Sequence, residues 1–400
     1  MITLTGKYNS CVIYTDNITA GTEGQLKALL DQESVRGSKI RIMPDCHEGA
    51  GCVIGSTMTV QDRIIPNLVG VDIGCGMLVV KLKEKRVDLP KLDSLIHKNV
   101  PAGFAVRTKT HKYLDRTRIE ELLCPMSNED RVFLSLGTLG GGNHFIELDK
   151  DDEGALYLVI HSGSRNLGVQ VAGYYQKEAW MRLKKGDRRE LTEQKIRELK
   201  EAGREKEIEA ALKEITSLSL TVPYELAYCE KDLFEAYLHD MKITQEYAHF
   251  NRLAMADTIL SGMKLHETDC FESVHNYIDT EAMMLRKGAC SAKLGERLII
   301  PINMRDGSLL CTGKGNPEWN ESAPHGAGRL MSRTQAKQSF SVSEFKKQME
   351  GIFSTTVSRE TLDECPMAYK PMEEIVKNVQ ETVTIDKIIR PVYNFKAAEE

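Results

Sequence analysis

The chain has 400 residues, a formal net charge of -5 and 41% hydrophobic residues. That allows a sizeable buried core in one large domain or two smaller ones. The mildly acidic balance argues against a protein that coats nucleic acid with its whole surface, though not against a local basic patch. No apolar run approaches a membrane span, the start MITLTGKYNS lacks the basic and apolar regions of a secretory signal, and ten cysteines scatter without a CxxC pair. A cytoplasmic protein with reduced thiols is therefore expected.

In chain order, residues 1–170 read as short β-like apolar runs broken by glycine: CVIGSTMTV, LVGVDIGCGMLVV and ALYLVIHSGS. From about residue 171 to 252 the chain becomes rich in Lys, Glu, Leu and Ala, which predicts charged helices. These are either a solvated helical hairpin or, through the basic run MRLKKGDRR, a contact to a phosphate backbone. Residues 253–335 return to strands and glycine loops, with ERLIIPINM the clearest strand, and residues 341–390 read as helical. Functional-looking motifs lie on both sides of the helical stretch, so the reading is one catalytic unit over 1–400 with a helical insertion at 172–250.

Four short segments carry metal-capable side chains: Asp72 and Cys75 in VGVDIGCGM, Asn143 and His144 in GTLGGGNHFIEL, His161 in LVIHSGSRNLG, and His275 in SVHNYID. Asp72 and Cys75 are three apart across a glycine turn, so both can face one site, and a thiolate can bridge two cations. Three histidines, a carboxylate and a cysteine suit Mn, Zn or Fe(II) better than Mg. Taken singly, a cysteine is more often a core thiol and a histidine more often a structural residue. Agreement among the four segments is what points to a metal site. A fifth segment, PHGAGRLMSRTQA, sets His325 beside Gly326, Ala327, Gly328 and Arg329. Exposed backbone N–H groups next to a guanidinium make a phosphate cradle, in which a histidine can be a base, a ligand or a nucleophile toward phosphorus. A turn histidine without chemistry is the alternative.

In order along the chain, MPDCHEGAG, VGVDIGCGM, LGTLGGGNHFIEL, VIHSGSRNLG, YAHFNR, SVHNYID, PHGAGRLMSRTQA, CPMAYK and RPVYNFK resemble the RtcB family of RNA ligases. The resemblance implies a single large α+β domain. It implies joining of RNA bearing a 3′-phosphate or 2′,3′-cyclic phosphate to RNA bearing a 5′-hydroxyl, with GTP and two Mn(II) ions, in tRNA splicing or RNA repair. His325 would be the nucleophile that takes the guanylyl group. Asp72, Cys75, His144, His161 and His275 would be the metal ligands, with Cys75 bridging. The nucleotide would contact Asn143, His144, Phe145, Ile146, Glu147, His275, Asn276, Asn303, Tyr369 and Lys396, with His325, Gly326, Ala327 and Gly328 on its phosphate side. The chain departs from the family pattern in PINMRDGS, where serines usually follow the IIP strand, and in Asn166, where glycine is usual. The rival expectations are a metal-dependent RNA end-processing enzyme, acting as cyclic phosphodiesterase or 3′-end guanylyltransferase without sealing, and a non-catalytic RNA-repair accessory.

Overall fold

The computed structural model describes residues 1–217 and 222–397. Two sheets dominate. The six-stranded sheet runs in the order Ile2–Thr5, Ser10–Ile13, Ile40–His47, Ile54–Thr59, Met284–Lys287, Asn276–Asp279. The seven-stranded sheet runs Glu267–Val274, Gly76–Leu82, Leu156–Ser162, Phe145–Lys150, Val383–Lys396, Gly307–Gly313, Arg297–Asn303, and its recorded pairings are all antiparallel. With helices of up to 37 residues beside these sheets, the domain is mixed and of the α+β class. The strands foreseen in CVIGSTMTV, LVGVDIGCGMLVV, ALYLVIHSGS and ERLIIPINM are present at Ile54–Thr59, Gly76–Leu82, Leu156–Ser162 and Arg297–Asn303.

The helical stretch has different edges from those read at 172–250. One helix starts at Arg165 and runs to Glu201, a shorter one covers Ile208–Ser217, and a third runs Asp232–Met263. The third helix lies in the core, with Phe234, Tyr237, Met241, Tyr247, Met255 and Ile259 all buried. It is tied to the first, since Tyr175 Oη donates to buried Asp240 Oδ2 at 2.8 Å. Its charged periodicity did not distinguish a half-buried helix from a solvated one, and it continues past residue 252 until Lys264 adopts a left-handed φ of 58°. In the basic run, Arg182 pairs with Asp232 at 2.7 Å, Arg189 pairs with Glu193 at 2.9 Å, and Lys184 lies over the Trp180 ring. These contacts favour the solvated-hairpin reading over a phosphate contact.

The expectation of helix over 341–390 fails across residues 349–371, which hold turns and loops, and again at its end. Seven-residue helices occupy Val342–Gln348 and Met372–Asn378, but Val383–Lys396 is a 14-residue strand. Its Val, Ile, Thr and Tyr residues favour a pleated backbone, and the interleaved Asp386, Lys387 and Arg390 hid the pattern. This strand brings Asn394 and Lys396 opposite Glu147 and Phe145. His275 is the residue at which the chain leaves the seven-stranded sheet for the six-stranded one. The site therefore forms where the two sheets meet.

Candidate active site

The five predicted ligands converge. Cys75 Sγ lies 3.4 Å from His144 Nε2 and 3.4 Å from His161 Nε2. His144 Nε2 is 2.9 Å from Asp72 Oδ2, and His161 Nε2 is 3.3 Å from His275 Nε2. The donor atoms thus form a chain, Asp72–His144–Cys75–His161–His275, with sulfur at its centre. Cys75, His144, His161 and His275 are buried. Gly163 permits the approach of Asp72, because a Cβ there would sit 2.1 Å from Asp72 Oδ1.

The protons of this cluster decide whether a cation fits. His144 Nδ1 faces the Leu139 carbonyl at 2.9 Å, and His161 Nδ1 faces the Asn143 carbonyl at 3.1 Å. A carbonyl only accepts, so both Nδ1 atoms carry hydrogen, and each ring turns its Nε2 toward Cys75. Burial, helped by the neighbouring histidines, pushes His161 and His275 well below the ordinary imidazole range, which keeps them neutral. His275 Nδ1 is buried without a hydrogen-bond partner among the described residues. Burial opposes the charge on Asp72, but its contacts with His144 outweigh burial and hold the carboxyl well below the usual range. Lone pairs converge here with too few protons between them, and the mixed N, O and S donors fit a divalent transition-metal ion. Without a cation, burial and the Asp72 charge push the Cys75 thiol well up; coordination to a cation would reverse that.

His325 stands on the far wall. It follows the short strand Ser322–Pro324, and its ring centroid lies 4.9 Å from that of His275. Its Nδ1 donates to Asp45 Oδ2 at 2.7 Å, in a carboxylate with no solvent exposure. In the neutral ring this leaves the Nε2 lone pair free. Gly328 fixes the loop: its φ is +76° and a Cβ would meet the Asp45 carbonyl oxygen at 2.4 Å. Glycine serves both needs, the left-handed backbone and the close approach.

Between His161 and the His325 loop opens a cavity of about 1150 Å³. Asn143, Phe145, Glu147, Tyr369 and Lys396 line it, as do Gly326, Ala327 and Gly328. Glu147 accepts from Asn394 Nδ2 at 2.6 Å. Lys396 Nζ pairs with Glu364 Oε2 at 2.7 Å and donates to the Asn143 carbonyl at 3.3 Å. Glu364 is a hub, because Tyr369 Oη also donates to it and Arg329 and Arg333 lie 3.0 and 3.1 Å from its Oε1.

Five predicted nucleotide contacts sit differently from the rest, and two of them, His144 and His275, belong to the donor cluster and do not line the cavity. Ile146 is fully buried and packs in the core on the other side of its strand, as the two-residue alternation requires. Asn276 braces the Asp72 loop, donating from Nδ2 to the Asp72 carbonyl at 3.2 Å and accepting from Gly288 N. Asn303 lines the cavity, but its side chain caps its own turn, accepting from Arg305 N and Asp306 N and donating to Asp306 Oδ2. Asp45, Glu364 and Asn394 were missed. Asn394 had a usable signal, since it lies two residues before Lys396 on the same strand face.

The family described as tRNA-splicing ligase RtcB matches residues 32–129 and 120–397. The chain belongs to the RtcB family. It is 31% identical to RNA-splicing ligase RtcB1 of one Escherichia coli strain and 30% identical to RNA-splicing ligase RtcB of strain K12, with 88% of each chain covered in both cases. It is 27% identical to the tRNA-splicing ligase RtcB of Aeropyrum pernix, over 95% of this chain and 94% of that one. No helix among the described residues of this RtcB-family chain is long and apolar enough to cross a membrane.

Proposed function

We propose that this RtcB-family protein is a cytoplasmic GTP- and Mn(II)-dependent RNA ligase. It joins a 3′-phosphate or 2′,3′-cyclic phosphate end to a 5′-hydroxyl end through a guanylyl-histidine at His325. The names of its relatives support RNA ligation, and the Asp45–His325 pair beside the cavity supports the nucleophile. Asp72, Cys75, His144, His161 and His275 would hold two Mn(II) ions, which would supply charge neutralisation around the α-phosphorus.

His325 Nε2 forms a bond to the α-phosphorus as the bond to the bridging oxygen breaks and pyrophosphate leaves. The Nδ1 proton stays in place, and Asp45 balances the imidazolium charge that develops. The guanylyl group then passes from His325 to an oxygen of the RNA 3′-phosphate, restoring the neutral ring. Attack by the 5′-hydroxyl forms the phosphodiester and expels GMP. On the base side, Glu147 accepts from guanine N1–H and N2–H, and Lys396, steered by Glu364, donates to O6.

The test is a sealing assay with GTP, Mn(II) and RNA carrying 3′-phosphate and 5′-hydroxyl ends. The parent protein joins them. His325→Ala joins none, yet still seals RNA whose 3′-phosphate is already guanylylated, because that step no longer needs the nucleophile. Guanylylated but unsealed RNA from the parent would favour the end-processing enzyme instead. No reaction of either kind would end the ligase reading.

A further inference from the structure

The motif YAHFNR lies in the long core helix Asp232–Met263 and has no part in the chemistry above. Its last two residues, Asn251 and Arg252, are completely buried. A buried guanidinium is costly to keep, and an apolar side chain would pack the same helix more cheaply. Its hydrogen bonds give the reason for keeping it.

Arg252 Nη1 donates to the Gly74 carbonyl at 2.8 Å and to the Ser162 carbonyl at 2.9 Å. Gly74 lies between Asp72 and Cys75, and Ser162 follows His161. Arg252 Nε reaches Glu272 Oε1 at 2.8 Å, on the strand that ends at Val274 and delivers His275. Asn251 covers the remaining loop. Its Oδ1 accepts from Gly137 N at 2.7 Å and Thr138 N at 3.1 Å. Its Nδ2 donates to Thr138 O, Ser162 Oγ and Gly163 O at 3.0 to 3.2 Å. Ser162 Oγ donates in turn to the Leu139 carbonyl, which also accepts from His144 Nδ1. One dipeptide therefore touches all four segments that carry the five ligands.

We infer that Asn251 and Arg252 are positioning residues that set the metal-binding geometry of the site by clamping the four ligand-bearing segments to one helix. The inference rests on the metal reading of the site and extends it to residues that touch no ligand atom. An arginine is required because its fork reaches two carbonyls and a carboxylate at once, which a lysine ammonium on a flexible stem does not reproduce. An asparagine is required because it donates and accepts in the same plane. Outer partners of this kind tune metal affinity by roughly 10- to 100-fold.

Co(II) is a direct probe, because a bound thiolate gives a charge-transfer absorption and the d–d bands report coordination geometry. Full-length parent, Arg252→Lys and Glu272→Gln proteins are titrated with Co(II), and the thermal midpoint of each is measured without metal. The parent should show the thiolate band. Arg252→Lys should keep a cooperative transition yet bind Co(II) about 10- to 100-fold more weakly with a changed d–d envelope. Glu272→Gln, which leaves both carbonyl bonds in place, should shift affinity in the same direction by less. A folded Arg252→Lys with parental affinity and spectrum overturns the inference. If that variant does not fold, parental affinity and spectrum in Glu272→Gln overturn it. A parent that binds no Co(II) overturns the metal reading itself, a distinct result from a parent that binds and variants that bind equally well.

Discussion

At the scale of single residues, Glu364 governs more of the cavity than its distance from the reacting atoms suggests. Burial raises its proton affinity, but Lys396, Arg333 and Arg329 outweigh burial and hold its carboxyl at about 2, against an ordinary 4.5. A carboxyl held low when folded contributes stability that is complete above 4.5 and is lost as pH falls toward 2. The shift corresponds to about 3 kcal/mol. Glu364→Gln should therefore lower stability at neutral pH by about that amount and flatten the acid limb of the stability curve. Denaturant unfolding at pH 7 and along that acid limb checks it, and equal stability of the two proteins at pH 7 would refute it.

Glu147 behaves in the opposite sense. Burial pushes its carboxyl up against weaker pulls from Asn394 and Lys396, and Asp149, two residues along, is pushed up as well. A group raised when folded stabilises fully below its unfolded value of 4.5, and that contribution is lost as pH rises through the raised folded value. If Glu147 reads guanine as a carboxylate, GTP binding below the raised value must expel its proton. Calorimetry in buffers of different ionisation enthalpy should detect that release in the parent and none in Glu147→Gln, whose GTP affinity should fall by about 1–3 kcal/mol. Binding of GTP without proton release would remove Glu147 from the base pocket.

At the scale of elements, the helical excursion and the last strand divide the work. The excursion leaves and returns close to one place, since the Trp180 and Tyr224 ring centroids lie 5.8 Å apart and Arg182 meets Asp232. Beyond residue 184 its described side chains are mostly exposed and pair locally, as Lys195 does with Glu198 and Arg204 with Glu207. Surface excursions of this kind are tolerated thermodynamically, because loop closure depends only weakly on length. Replacing residues 186–221 with a short Gly/Ser linker should leave GTP labelling within about twofold, with the melting midpoint within a few degrees. A folded, trimmed protein that no longer takes label would assign the excursion a part in the site. The strand Val383–Lys396 has the opposite character. Its alternation puts Asn394 and Lys396 on the pocket face, and a one-residue slip would turn both away.

At the scale of the whole molecule, legibility followed distance along the chain. The five candidate ligands could be found because they sit in four short, recognisable segments, and the fold places those segments side by side. Asp45 could not be assigned, because its partner His325 lies 280 residues away, and only the packing of the short strand Ser322–Pro324 against Ile40–His47 joins them. Glu364 was hidden for a related reason: its cationic partners Arg329 and Lys396 come from a loop and a strand on either side of it in sequence. The final strand was misread because charge alternating with β-branched residues imitates a solvated helix.

His325 is proposed as the covalent acceptor, and the most direct measurement is capture of the adduct. The protein is incubated with Mn(II) and GTP labelled at the α-phosphate, treated separately with acid and alkali, and digested for peptide mapping. The expected result is a label that survives alkali, is lost in acid, maps to the peptide containing His325, and is absent from His325→Ala while that variant still binds GTP. A label on another residue, or one that persists in His325→Ala, would contradict the account.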